Sequence, residues 1–233
     1  MEVVDKGKDF YDHYKVYRGN MNFHLANELH NGLFYNWVML LGPESILEVG
    51  AGSGKSCTVL KRLLPNSFIV ASDIDQRACD LIKDLAVESK VDINTAVFDV
   101  RDTRLHDKSF DLCFSNGLME HFSIKDIKRG LSEQLRVAKN VIVGVPTDYW
   151  IYSNRFSRGD EAWLSKVEWI SLFSEVGYII EVVFQGDIGE EITLMAILSD
   201  KFYHWRDYIL NVKKEEKGSG EVKAVLAMSK STV

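Results

Sequence analysis

ILEVGAGSGKS, residues 46–56, decides how the rest of the chain is read. Ile46, Leu47 and Val49 make a short apolar run of the kind that forms a buried strand. Gly50, Gly52 and Gly54 then supply a turn whose backbone can come close to a ligand. Ser56 to Leu64 reads as a helix. A strand, a glycine turn and a helix in this order point to a nucleoside-type ligand. A P-loop needs a glycine, four residues and then Gly-Lys-Ser/Thr. Gly54, Lys55 and Ser56 supply the second half, but Val49 stands where the first glycine belongs, and the spacing is one residue short. A dinucleotide turn, Gly-x-Gly-x-x-Gly/Ala counted from Gly50, puts Lys55 where a small residue must pack helix on strand.

S-adenosylmethionine is a third candidate, because it has no phosphate and needs no phosphate cradle. It carries an ammonium, a carboxylate and a sulfonium, and Glu48 can set negative charge near the cationic end. EVGAGSG at 48–54 resembles the first motif of class I S-adenosylmethionine-dependent methyltransferases. Three further segments follow in that family's order. FIVASDID at 68–75 reads as a second strand ending on Asp73, about 20 residues past the glycines, where an acid takes the ribose hydroxyls. Asp75 reads instead as the N-cap of the next helix. In NTAVFDVRD at 94–102, the resemblance implies that Asp99 accepts from the adenine amino group, with the Val100 amide beside it. Asp99 capping a turn is the plainer reading. SFDLCFSNGLMEHF at 109–122 alternates Phe110, Leu112 and Phe114 with Asp111 and Cys113, a strand of period two.

The resemblance implies a Rossmann-like α/β fold. Its sheet has seven mostly parallel strands, an antiparallel closing hairpin and helices on both faces. It also implies a donor site made of Glu48, Gly50, Ala51, Gly52, Gly54, Asp73, Ile74, Asp99, Val100, Asn116 and Gly117. Met119, Glu120, His121 and Phe122 are expected near the transferred methyl group. His121 is the candidate catalytic base, since imidazole titrates near neutrality. The plainer reading of His121 is a residue that holds a strand end by hydrogen bonds.

Composition agrees with one globular domain. Of 233 residues, 46% are hydrophobic and 27% charged, enough for a sizeable core. Lys plus Arg number 28 against 34 Asp plus Glu, a net charge of −6. An acidic chain with no basic stripe argues against a nucleic-acid partner. Cys57, Cys79 and Cys113 have no metal-type spacing, which favours reduced thiols and a cytoplasmic setting. No acid cluster stands out, so no metal is expected. LFYNWVMLL at 33–41 is about half the length needed to cross a bilayer and reads as a helix over one side of the sheet.

Along the chain, strands are expected near 45–50, 67–73, 93–98, 110–115 and 140–145, and helices near 55–64, 75–89 and 124–138. Ser123 with Asp126, and Ser165 with Glu168, carry capping-box spacing. Two strands around a Gly-Asp-rich turn fill 178–200. Three regions follow: a helical cap at 1–44, the methyltransferase domain at 45–200, and a C-terminal helix with a mobile tail at 201–233. In the cap, Tyr17 and Arg18 are expected at the cofactor, Arg18 because guanidinium suits a carboxylate. Tyr149, Trp150, Tyr152 and Arg155 are candidates for an acceptor wall.

The expected reaction is in-line displacement of the sulfonium methyl onto a small-molecule acceptor, leaving S-adenosylhomocysteine. The protein supplies position and a water-poor site. A general base is required only if the nucleophile holds its proton. After the fourth strand the chain reads Ser115-Asn116-Gly117-Leu118, not Asn/Asp-Pro-Pro-Tyr/Phe, which disfavours DNA or protein amide acceptors. A non-catalytic scaffold that binds the donor or another nucleoside is the main alternative. An aminopropyl transferase on the same fold would want more acids in the acceptor site.

Overall fold

The structure is a computed structural model that describes residues 11, 31–149, 160–185 and 193–201. Its order is α1 (Gly32–Leu41), β1 (Ser45–Val49), α2 (Lys55–Leu63), β2 (Phe68–Asp73), α3 (Gln76–Ser89), β3 (Asn94–Val97) and β4 (Phe110–Asn116). A 3-10 turn at Met119–His121 leads to α4 (Ile124–Val137), β5 (Ala138–Pro146), α5 (Lys166–Val176), β6 (Tyr178–Gln185) and β7 (Thr193–Ser199).

The sheet order is β3-β2-β1-β4-β5-β7-β6. β1 pairs in parallel with β2 and with β4, so the chain winds outward from β1 in two directions. β7 is antiparallel to both its neighbours and lies between β5 and β6. The crevice where the winding reverses, at the carboxyl ends of β1 and β4, is where ligands bind in open α/β sheets.

Period-two alternation divides the strands between two cores. Ile46, Ile69, Leu112 and Phe114 pack on one face with α1, α2 and α3. Leu47, Val49, Cys113 and Val141 pack on the other with α4 and α5. Strands buried on both faces read as near-continuous apolar runs for this reason. α1 buries Phe34, Tyr35, Trp37, Val38 and Leu41. Its Phe34 ring meets Phe114 of β4 with centroids 4.8 Å apart. Each such buried aromatic contributes about 1.5–3 kcal/mol of apolar transfer.

The helix ends follow the expected chemistry with one difference. Asp75 caps α3 by accepting from the Arg77 amide at 2.9 Å. Ser165 and Glu168 form a full reciprocal box at α5. At α4, Ser123 accepts from the Asp126 amide, but the Asp126 carboxylate takes the Ser123 hydroxyl at 2.9 Å. Aspartate is one methylene shorter than the glutamate that ordinarily reaches back to the N-cap amide. β5 begins at Ala138, earlier than the sequence suggests, because α4 runs into it without a loop. The three cysteines are free and buried.

Candidate functional site

The turn after β1 is held open by backbone that only glycine adopts readily. Gly50, Gly52 and Gly54 have φ of 66°, 54° and 74°. A Cβ on Gly50 would lie 2.7 Å from the Leu118 methyls, and one on Gly54 would lie 2.8 Å from Ile82. Gly54 is also the N-cap of α2 and has no side chain to satisfy that helix's free amides. Glu48 does so instead, accepting from the Cys57 amide at 3.2 Å. Glu48 is 5% exposed, and burial pushes its carboxyl up to about 8. Glu48 thus caps α2 and does not itself line the cavity described next.

A cavity of about 390 Å³ opens at the carboxyl ends of β1, β2 and β4, a volume suited to a small ligand. Val49 and Gly50 line it from β1 and its turn, and Ser72, Asp73, Ile74 and Asp75 from β2 and its end. Asp73 accepts from the Gly52 amide and the Asp75 amide, both at 3.0 Å. These bonds take one site on each oxygen and leave the others for ligand hydroxyls. Burial raises its carboxyl, and the amides of Asp75, Gly52 and Ile74 offset that in part. Asp75 also lines the cavity, but its carboxylate pairs with Arg77 at 2.6 Å, which holds it below the usual range.

Asp99 and Val100 line the cavity together with Phe98. Asp99 accepts from the Arg101 amide at 2.8 Å and pairs with its guanidinium at 2.6 Å. Asp99 therefore caps a turn and borders the cavity at once, so the two readings of it do not exclude each other. Arg101 also lies over the Phe122 ring. Gly117, Leu118, His121 and Phe122 close the opposite wall.

Several expected residues lie behind this surface. Ala51, Gly52 and Gly54 shape the turn without lining the cavity. The Asn116 amide donates to Asn31 Oδ1 at 2.9 Å, and its Oδ1 fills the place a Cβ on Gly144 would take. Asn116, which is exposed, ties the end of β4 to the residue before α1. Met119 is fully buried against Gly130 of α4 and does not line the cavity. Tyr149 is 45% exposed and outside the cavity lining. Tyr17, Arg18, Trp150, Tyr152 and Arg155 fall outside the described residues.

The fold adds residues that sequence spacing could not supply. Asp160 reaches His121, with Oδ1 3.2 Å from Nδ1, and both line the cavity. The imidazole of His121 and the carboxylates of Asp160 and Glu161 present ligand atoms within 4.8 Å of one another. Glu120 is buried, and its Oε2 has no hydrogen-bond partner among the described residues. Burial, with the nearby Glu161 and Asp160 charges, pushes its carboxyl up to about 8. Ser72, Phe98 and Leu118 flank expected residues and could have been found by extending each motif by one position.

S-adenosylmethionine fits this surface. The cleft has room for it, the Gly50 turn admits close contact, Asp73 keeps free acceptor sites, and no Lys or Arg among the described residues lines the wall. Residues 46–140 match the family model described as a methyltransferase domain. No curated protein matches the chain in sequence. Among solved structures, a protein of Pyrococcus horikoshii OT3 aligns with a TM-score of 0.70 at 14% identity, over 83% of this chain and 99% of its own. A SAM-dependent methyltransferase from Aquifex aeolicus aligns at 0.66 and 15%, over 83% and 100%. Magnesium protoporphyrin IX methyltransferase from Synechocystis PCC 6803, with bound SAH, aligns at 0.64 and 12%, over 80% and 92%. At these identities the likeness is one of fold.

Proposed function

We propose that this chain, which carries a class I S-adenosylmethionine-dependent methyltransferase domain, moves a methyl group to a small-molecule acceptor. When bound, the donor supplies an activated methyl on a sulfonium, so the chemistry asked of the protein is modest. The Gly50 turn holds the aminoacyl end by close backbone contact. Asp73 receives the ribose hydroxyls. Asp99 and the Val100 amide meet the adenine, and Gly117 and Leu118 cover the remaining side. His121 faces the acceptor's nucleophile from the mouth of the cavity. Water exclusion by Phe98, Leu118 and Phe122 keeps the nucleophile at the methyl carbon.

The observation that carries this reading is Asp73, which holds the glycine turn by one oxygen and the start of α3 by the other while still facing the cavity. A small acceptor is supported by the acidic net charge of −6. The Synechocystis fold relative, by its name, also acts on a small molecule.

Calorimetric titration of the purified chain with S-adenosylmethionine, S-adenosylhomocysteine, ATP and NAD tests the reading. The two adenosyl-sulfur compounds are expected to bind and the other two not. Asp73→Ala is expected to weaken binding by about tenfold or more, the cost of lost hydrogen bonds to a charged group. Binding of ATP in their place, or of none of the four by a folded chain, overturns it.

A further inference from the structure

Asp99 lines the cavity, yet its carboxylate is already engaged from the protein side. Arg101, two positions on, supplies the donors. Its amide donates to Oδ1 at 2.8 Å. Its guanidinium donates through Nε to Oδ1 and Oδ2 at 2.9 and 3.1 Å, and through Nη2 to Oδ2 at 2.6 Å. A carboxylate has about four lone-pair sites, so these N–H groups leave about one for a ligand. The backbone beneath is closed as well, because the Asp102 amide donates to the Asp99 carbonyl at 3.0 Å. Asp99 thus meets the cavity with a side chain that cannot turn freely.

The guanidinium is itself held from a second segment. Its Nη1 lies 3.5 Å from Asp126 Oδ1, in the first turn of α4. Its central carbon lies over the Phe122 ring, 5.3 Å from the centroid. A planar cation suits both contacts, with its edge to the acids and its face on the ring. Phe122 lines the cavity, whereas Arg101 does not. One side chain outside the cavity therefore joins two of its walls. The pairing with Arg101 also holds the Asp99 carboxyl below the usual range, so near neutrality it accepts hydrogen bonds and donates none.

An acceptor fixed in one direction can tell purines apart. A 6-amino group presents an N–H to it. A 6-oxo group presents a lone pair, and the N1–H beside it points elsewhere. A carboxylate free to turn could follow that N1–H, and a clamped one cannot. We propose that Arg101 is a positioning residue for donor selectivity: held by Asp126 and Phe122, it fixes Asp99 so that the cavity takes a 6-aminopurine and rejects a 6-oxopurine. The assignment rests on the methyltransferase reading above, which sets the purine against Asp99.

The test is calorimetric titration of the full chain with S-adenosylhomocysteine and with S-inosylhomocysteine, its 6-oxo counterpart. The parent is expected to favour the first by about tenfold or more, since the wrong purine leaves a charged acceptor unpaired. Arg101→Gln is expected to shrink that preference by about fivefold or more, chiefly through tighter binding of S-inosylhomocysteine. Arg101→Lys keeps the charge and loses the fork, so it is expected to shrink the preference too, and it serves if Arg101→Gln does not fold. With Asp99→Asn already in place, Arg101→Gln is expected to change the preference by less than about twofold, because the two residues act as a unit. An equal loss for both ligands, with the preference intact, makes Arg101 a structural residue and overturns the proposal. A preference that survives in Arg101→Lys also overturns it. A parent that binds both ligands alike overturns it while the donor site stands. A folded parent that binds neither removes the methyltransferase reading and this role with it.

Discussion

Single residues set the shape of the donor site through backbone geometry and burial. Gly50 is the clearest case, with φ of 66° and a Cβ position 2.7 Å from Leu118. Gly50→Ala is expected to destabilise the fold by about 1–3 kcal/mol and to weaken S-adenosylhomocysteine binding, since Leu118 must shift into the cavity. Thermal melts and calorimetry on the same sample check both. Glu48 gives a pH signature. Its folded carboxyl titrates at about 8 against an ordinary 4.5, so the folded state keeps a proton that the unfolded state has lost. Its contribution is present below about 4.5 and declines as pH rises toward 8, the direction required when the folded form binds more protons. Glu48→Gln is expected to flatten that decline, read as denaturant midpoints of variant and parent at pH 5 and pH 8. The sequence made Glu48 visible as an acid beside glycines. It could not reveal that the side chain turns inward, because the need it meets, the bare N-cap at Gly54, exists only once α2 is placed.

Elements were the most legible scale. The apolar runs at β1, β2 and β4, and the helices at 75–89 and 124–138, are local patterns of burial and capping, and local patterns survive in a sequence. Ser165→Ala is expected to cost about 1 kcal/mol, because it removes the hydroxyl that accepts from the Glu168 amide, while the Glu168 carboxylate still accepts from the residue 165 amide. The matching Ser123→Ala should cost at least as much, since both bonds between residue 123 and Asp126 run through the lost hydroxyl. Paired thermal melts decide the order. The element that resisted local reading is the 3-10 turn at Met119–His121. Its Met119 is apolar like any core residue, and whether it faces the ligand or α4 depends on Gly130 leaving room beneath it.

At the scale of the whole molecule, one strand closes the sheet from inside. β7 lies between β5 and β6 and pairs with both along most of its length. A chain ending at residue 185 would leave β5 with an open apolar edge and β6 with no neighbour. It is expected to lose its cooperative thermal transition and to aggregate, as exposed sheet edges do. Circular dichroism melts and sedimentation check this. Alternation of strand and helix in the sequence determined the α/β class. The strand, glycine turn and helix at 46–56, followed by Asp73 and Asp99 after β2 and β3, marked residues that border one cavity, the place proposed for the donor. These features are short-range, because each depends on neighbours a few residues apart. The insertion of β7, the inward turn of Glu48, the bond from Asn116 to Asn31, and the meeting of His121 with Asp160 and Glu161 were decided only by the tertiary structure. They join residues far apart in the chain, and it is the shared burial of two sheet faces that brings those residues together.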